Sequence, residues 1–370
     1  MRIAQVAPLF ESVPPRQYGG TERVVSYLTE ELVRLGHEVT LFASGDSVTQ
    51  AKLIPACGSS LWNDPKAHDT LSHHVRLMGL VFEDVSRFDV IHFHCDFLHF
   101  PLLRQRPCRN VTTIHGQLLP YDQRALFTQY PEAPLVSISD RQRAPIPEAN
   151  WCATVYHGLP RNLYTPGEGK GGYLAFLGRI SPEKGVDRAI EIARRARMHL
   201  KVAARIDPVD SDYYKETIEP LMREASEFVE FVGEVDDAHK NEFLGNARAM
   251  LFPINWEEPF GLVMTESLAC GNPVIAWKSG SAPEVIDDGV TGFLVDNIED
   301  AVRGVERIGE IDRNACRRVF EERFDVTRMT IDYLEVYKRL RVFDRESAGE
   351  HAPALELAGN GFPAYSPGVA

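Results

Sequence analysis

The sequence predicts an α/β protein of two doubly wound domains, each on a parallel sheet, with a ligand cleft at the carboxyl ends of the strands. Three observations predict it. Apolar runs of strand length alternate with amphipathic stretches along nearly the whole chain, the pattern of parallel strands joined by crossover helices. That alternation breaks once, at the Gly- and Pro-rich stretch ending GEGKGG, so residues 159–172 are expected to link two domains. A length of 370 residues is enough for two separate cores.

The first domain, residues 1–158, opens on the strand-like run RIAQVAP and continues into the turn YGG (18–20). Gly19 and Gly20 let this loop close over a phosphate or a sugar, and Thr21 is a candidate cap for the helix TERVVSYLTEELVRLG, which stops at Gly36. HEVTLFA, DVIHFH, NVTTIH, LVSIS and CATVYH are the further strands. The second domain, residues 173–325, repeats the pattern. It runs through YLAFLGRI, a helix from about Lys184, LKVAARI, FVEFVG, a helix near 237–246, RAMLFPI, a helix PFGLVMTESLACG and the strand PVIAW. Pro259 suits the first position of that helix, where its missing N–H has no partner to lose. Residues 326–344 put Met329, Tyr333, Val336, Tyr337, Leu340 and Phe343 on one face, so this helix is expected to dock back on the first domain. The remaining segment, 345–370, is expected to be flexible.

Composition is that of a soluble globular protein, 44% hydrophobic and 25% charged. No signal peptide and no apolar run of membrane-spanning length is visible, and the six cysteines follow no paired spacing, which suits reduced thiols in the cytoplasm. The net charge of −13 is uneven: residues 1–158 carry 14 Lys+Arg against 16 Asp+Glu, the rest 26 against 37. An acidic chain without a basic face does not suit nucleic acid. Arg104, Arg106 and Arg109 allow weak peripheral membrane contact at most. A nicotinamide dehydrogenase is disfavoured, because no G-x-G-x-x-G follows the first strand.

Two acids in EEPFGLVMTE stand out. Glu258 lies at the mouth of the predicted helix, and Glu266 shares an apolar stripe with Leu262 and Cys270, where a carboxylate costs free energy unless it has partners. HFHCD places His92, His94 and Asp96 on one strand face. A metal site is one reading; a polar strand end near the cleft is the better one. DSD (210–212) lies in a polar loop before a helix, so capping is the expected role.

GRISPEKG (178–185), FPINWEEPFGLVMTESLACGNPVIA (252–276) and VTGFLV (290–295), following an N-terminal YGGTERVV, resemble glycosyltransferase family 4 over roughly residues 1–343. The resemblance implies the GT-B fold, two Rossmann-like domains facing a cleft, and retaining transfer from a nucleotide-sugar. It implies that Arg179 and Lys184 meet the donor diphosphate, that Glu258 holds the donor sugar, that Glu266 holds the ribose, and that His115 lies beside the sugar. A leaving diphosphate needs cations and N–H donors where its charge develops. The helix start at Phe260, Gly261 and Leu262 supplies N–H groups and a dipole. No metal or cofactor is required beyond the donor, a UDP-, GDP- or ADP-sugar; the acceptor is a glycan, a lipid-linked or a small molecule. Two departures from the family's pattern appear. The Gly-rich turn after LKVAARI is replaced by a sequence that puts Arg205 in the nucleotide pocket, and His157 stands where an Asn is usual. A GT-B epimerase or hydrolase and a non-catalytic nucleotide-sugar sensor are the alternatives.

Overall fold

The computed structural model of the chain describes residues 1–16 and 19–340. Tyr18 of the YGG turn, Phe343 and the 345–370 segment lie outside the described residues. Seven strands form the first sheet: β1 (Arg2–Val6), β2 (Glu38–Ser44), β3 (Lys52–Cys57), β4 (Val90–Phe93), β5 (Asn110–Thr113), β6 (Leu135–Ser137) and β7 (Trp151–Thr154). Their order is β3-β2-β1-β4-β5-β6-β7. Six more form the second: β8 (Tyr173–Arg179), β9 (His199–Arg205), β10 (Val229–Gly233), β11 (Ala249–Phe252), β12 (Val274–Trp277) and β13 (Gly292–Val295), in the order β10-β9-β8-β11-β12-β13. Every ladder is parallel. Both sheets are therefore doubly wound, as expected. Each reverses its order beside its first strand, β1 or β8, the place where such sheets leave a crevice for ligands.

Helices cover both faces of the sheets, so central strands are apolar throughout rather than alternating. Ile3, Ala4 and Val6 of β1 are fully buried, and so are Leu174 and Ala175 of β8. β3 has no counterpart in the sequence reading. It is an edge strand, half-buried and interrupted by Pro55, which an edge tolerates because its outer N–H groups need no partner.

Helix starts depart from expectation in three places. The first helix is Gly20–Arg34 with Gly19 at its cap, so Thr21 lies inside the first turn and does not cap it. The helix expected from about Lys184 is Val186–Ala196. The helix expected from Pro259 to Gly271 is Leu262–Ala269. Gly185 and Gly261 set the last two boundaries: their φ values of 75° and 74° are left-handed, outside the helical region.

The helix Val326–Arg339 returns to the first domain. Its Met329, Tyr333 and Tyr337 are buried with Ile3, Val24, Leu28, Val90, Val111 and Val136. The segment 159–172 carries no helix or strand but is packed rather than loose, with Tyr164 buried in the second core. Polar contacts also bridge the domains. Glu284 accepts from the backbone N–H groups of Asp140 and Arg141 at 2.8 and 2.7 Å, and Arg141 makes a two-pronged pair with Glu257 at 2.7 Å. Among the described residues, no helix is long and apolar enough to cross a membrane.

Candidate active site

One cleft of about 960 Å³ lies between the domains, and all eleven residues proposed from the sequence line it. The first domain contributes Gly19, Gly20 and His115. The second contributes Arg179, Lys184, Arg205, Glu258, Phe260, Gly261, Leu262 and Glu266. At its floor two helix starts meet: a Cβ on Gly20 would lie 3.6 Å from Cδ1 of Leu262. Each helix start brings N–H groups with no intrahelical partner and the positive end of a dipole.

Phe260 is not part of its helix, contrary to expectation. It is buried ahead of the cap, and its carbonyl accepts from Ser281 Oγ at 2.7 Å. Gly261 is needed for its left-handed backbone angle; a Cβ there would meet Met264 Cε, the movable end of a flexible side chain, at 2.8 Å.

The cations of the cleft are held by carboxylates. Lys184 Nζ donates to Glu258 Oε2 at 2.5 Å, and Trp256 Nε1 donates to the same oxygen at 2.9 Å. The Lys184 ammonium also sits over the Trp256 ring, 4.8 Å from its centroid. Arg179, at the end of β8, pairs with Glu183 at 2.6 Å and lies 3.5 and 3.4 Å from Asp207 and Asp210. Arg205, at the end of β9, pairs with Asp207 at 2.6 Å. Asp210 makes no side-chain cap for the helical turn it precedes. The expected capping role of DSD is replaced by its pairing with Arg179, because that loop folds back over the end of β8.

Glu266 is 2% exposed. Its Oε1 accepts from Lys240 Nζ at 2.8 Å and from Tyr164 Oη at 3.3 Å, while Oε2 is buried with no protein partner. Burial opposes the Lys240 charge most strongly, but the Glu266 and Asp237 carboxylates together hold the ammonium above the ordinary lysine range. Lys240 also lies 3.2 Å from Asp237, which in turn pairs with Arg23 across the cleft.

Neither Lys240 nor Arg23 was found by sequence reasoning. Lys240 sits in an unremarkable polar helix. Arg23 offers one signal: a cation in the first turn of a helix opposes the dipole and asks for an anionic partner.

His115 faces His157 in a near-parallel stack, centroids 5.2 Å apart, and His157 packs edge-on against Phe260 at 5.0 Å. The residue that departs from the family's Asn thus joins the cleft wall. Burial pulls the His115 imidazole down to about 3, so it is neutral at working pH. Glu22, at the foot of the first helix, is driven the other way: burial raises its carboxyl to about 7. Among the described residues, no group of three or more His, Cys, Asp or Glu is arranged to hold a metal ion; His92 and His94 are bonded to protein groups instead.

Residues 18–150 match the model for Glycosyltransferase Family 4, and residues 166–322 match that for glycosyl transferases group 1. The chain belongs to glycosyltransferase family 4. The chain is 31% identical over 172 residues to an uncharacterized 41.2 kDa protein in the cps region of Klebsiella pneumoniae, covering 45% of this chain and 46% of that one. The chain spans less than half the length of several curated relatives it matches. A longer match is to a phosphatidyl-myo-inositol mannosyltransferase of Propionibacterium freudenreichii, 26% identical over 349 residues, 83% of this chain and 86% of the relative. The crystal structure of Anabaena HepE in complex with UDP and glucose is similar with a TM-score of 0.70 at 18% identity, over 91% of this chain and 99% of that one. The fold is GT-B.

Proposed function

We propose that this chain transfers a glycosyl group from a nucleoside-diphosphate sugar to an acceptor hydroxyl, with retention of anomeric configuration and without a divalent metal. One observation carries the reading: the starts of two helices, at Gly20 and Leu262, abut in a cleft that also holds Arg179 and Lys184. Charge develops on the diphosphate as the sugar leaves. Preorganised N–H groups, dipoles and cations stabilise that charge more than they stabilise the bound donor, which lowers the barrier.

In this mechanism Lys184 exchanges Glu258 for a phosphate oxygen. Glu258, released from its ion pair, accepts hydrogen bonds from hydroxyls of the donor sugar. Glu266 keeps Lys240 on one oxygen and takes a ribose hydroxyl on the other, whose buried lone pairs have no protein partner. Arg205 lies at the end of β9, the side proposed for the base of a UDP-, GDP- or ADP-sugar. The first-domain wall, where Phe10 and Trp62 pack at 5.4 Å, is proposed for the acceptor: a glycan, a lipid-linked or a small molecule. Neither nucleic acid nor more than weak peripheral membrane contact has a place in this reading, and the chain is proposed to work in the cytoplasm.

Thermal unfolding against a panel of UDP-, GDP- and ADP-sugars in the presence of a chelator tests it. A donor that binds the native state raises the midpoint by mass action, and the same donor should then be turned over. A panel that leaves the midpoint unmoved contradicts the reading; binding without any turnover points to the sensor.

A further inference from the structure

The first-domain wall of the cleft carries a fixed aromatic platform. The Leu9 carbonyl accepts from the Leu61 N–H at 2.9 Å and the Phe10 carbonyl from the Trp62 N–H at 3.0 Å, so the loops after β1 and β3 are stitched backbone to backbone. Leu9 and Leu61 lie in the first core, while their neighbours Phe10 and Trp62 line the cleft. His74 packs on Phe10 at 5.0 Å between ring centroids. It donates from Nδ1 to the Thr70 carbonyl at 2.7 Å and accepts the Leu9 N–H on Nε2 at 3.3 Å, which pins the loop a third time. Trp62 is nevertheless 59% exposed. A large aromatic face held in place and left in water marks a binding surface rather than a part of the core.

Asp96, the acid of HFHCD, lines the same cleft. It stands just beyond β4 as Phe10 stands just beyond β1, and these two strands are neighbours where the sheet reverses its order. Its φ of 54° is left-handed; among the described residues the other non-glycine with such an angle is Arg197, which ends a helix. Asp96 ends no helix, and its carboxylate accepts no hydrogen bond from any described residue. The surrounding wall sheds water from the carboxyl and raises it above its ordinary value, while nearby His74 works against that shift.

A sugar ring is amphipathic, with C–H groups on its faces and hydroxyls at its rim. An aromatic face takes the first, and an ionised carboxylate, which can only accept, takes the second. We propose that Phe10, Trp62 and Asp96 form a subsite for a sugar ring of the acceptor, one that carries no negative charge. The ring lies on Trp62 and its hydroxyls donate to Asp96. The inference deepens the reading above and rests on the first-domain wall taking the acceptor. A uronic acid or a sugar phosphate would set its charge against Asp96, and Arg16 at the same rim already faces Asp46 at 3.8 Å. An acyl chain would cover the carboxylate without giving it a hydrogen bond. Whatever the ring is attached to, lipid or sugar, therefore lies outside this subsite.

The test is a titration of the full chain with methyl glycosides of the neutral hexoses and N-acetylhexosamines and with the matching uronates, in buffer holding UDP, GDP and ADP together. It is read at the indole N–H resonance of Trp62, assigned by its loss in Trp62→Phe. At least one neutral glycoside should move this resonance with saturation, and its uronate should bind about tenfold more weakly, the effect of one like charge at a half-wet surface. No saturable shift from any neutral glycoside, or a uronate that binds as tightly, overturns the proposal. An octyl glycoside should bind no better than the methyl one; far tighter binding would place the recognised group on the aglycone and overturn it too. Asp96→Asn keeps the shape and tolerates the same backbone angle. It should weaken the neutral glycoside and bring the uronate to within about threefold of it; an undiminished preference would remove Asp96 from the subsite. Trp62→Ala should weaken the glycoside about tenfold with nucleoside diphosphate affinity unchanged. The titration needs no turnover, so its failure leaves the proposed donor standing, and a failed donor panel leaves the titration readable.

Discussion

Each cation that lines the cleft has a carboxylate beside it: Arg179 has Glu183, Asp207 and Asp210, Lys184 has Glu258, and Lys240 has Glu266. In the proposed reaction the donor therefore exchanges partners rather than filling bare charges. Lys184→Ala is expected to lower turnover by about 10²–10³, roughly 3–4 kcal/mol, the worth of one preorganised charge stabiliser. Trp256 Nε1 still bonds Glu258, so the variant should fold, as circular dichroism can check. Near-normal turnover would remove Lys184 from the mechanism. The two acids should separate as well. Glu266→Gln should mainly weaken binding of free nucleoside diphosphate, and Glu258→Gln should mainly lower turnover, both measurable by titration calorimetry alongside steady-state kinetics. Equal effects on diphosphate affinity would show the roles misassigned. Glutamine is the better probe at 266, since it fills the same space and keeps an oxygen for Lys240, whereas alanine would leave the buried ammonium with Asp237 alone. Glu258 and Glu266 were legible in the sequence because an acid before a proline and an acid in an apolar stripe are both anomalies. Lys240 and Arg23 were not, because the partners that bring them to the cleft, Glu266 and Asp237, lie on other elements than theirs, and no local rule is broken at Lys240.

At the scale of elements, the apolar runs located the strands that are buried on both faces, because such strands have no polar positions to blur the signal. β3 escaped for the opposite reason: at an edge its exposed positions and Pro55 read as loop. The start of the helix carrying Glu266 was misplaced by three residues, since Pro259 is a permitted first residue but Gly261 is a stronger boundary once its φ of 74° is known. Gly261→Ala tests that boundary. The left-handed backbone costs an L-residue about 1–2 kcal/mol, while the flexible end of Met264 can move aside for the new Cβ. The variant should be less stable in urea and should bind nucleoside diphosphate more weakly, because the N–H groups of the helix start are displaced. Unchanged stability and affinity would contradict the account of this helix start. The returning helix was legible from its apolar face, but not its hydroxyls: nothing in the spacing of Tyr333 and Tyr337 announces their hydrogen bonds to Thr113, Gln5 and His92.

For the whole molecule, the concentration of histidines in the first domain has a consequence for stability. Burial holds His92, His94, His99, His115 and His157 below the ordinary value of 6.5. A depressed imidazole contributes stability that is fully present above 6.5 and is lost as pH falls, because the unfolded chain takes up protons the native one refuses. Five such groups give a slope of about 7 kcal/mol per pH unit at its steepest, at about 1.4 per proton. Glu22 opposes this by one proton: its raised carboxyl favours the native state most below 4.5 and loses that contribution as pH rises through about 7. The net expectation is a urea midpoint that falls steeply between about pH 7 and pH 5; a midpoint constant over that range would contradict the burial of the histidines.

The central claim, retaining transfer driven by fixed cations and helix ends, is tested most directly by the stereochemistry of the reaction. The donor selected by thermal shift is incubated with chelator-treated protein and no acceptor, so that water slowly takes the acceptor's place. Proton NMR then reads the anomer of the sugar as it is first released, before it equilibrates in solution. The account predicts the donor's own anomer, formed at a rate that added Mg²⁺ or Mn²⁺ does not raise. Release of the opposite anomer, or hydrolysis that appears only when metal is restored, would contradict it.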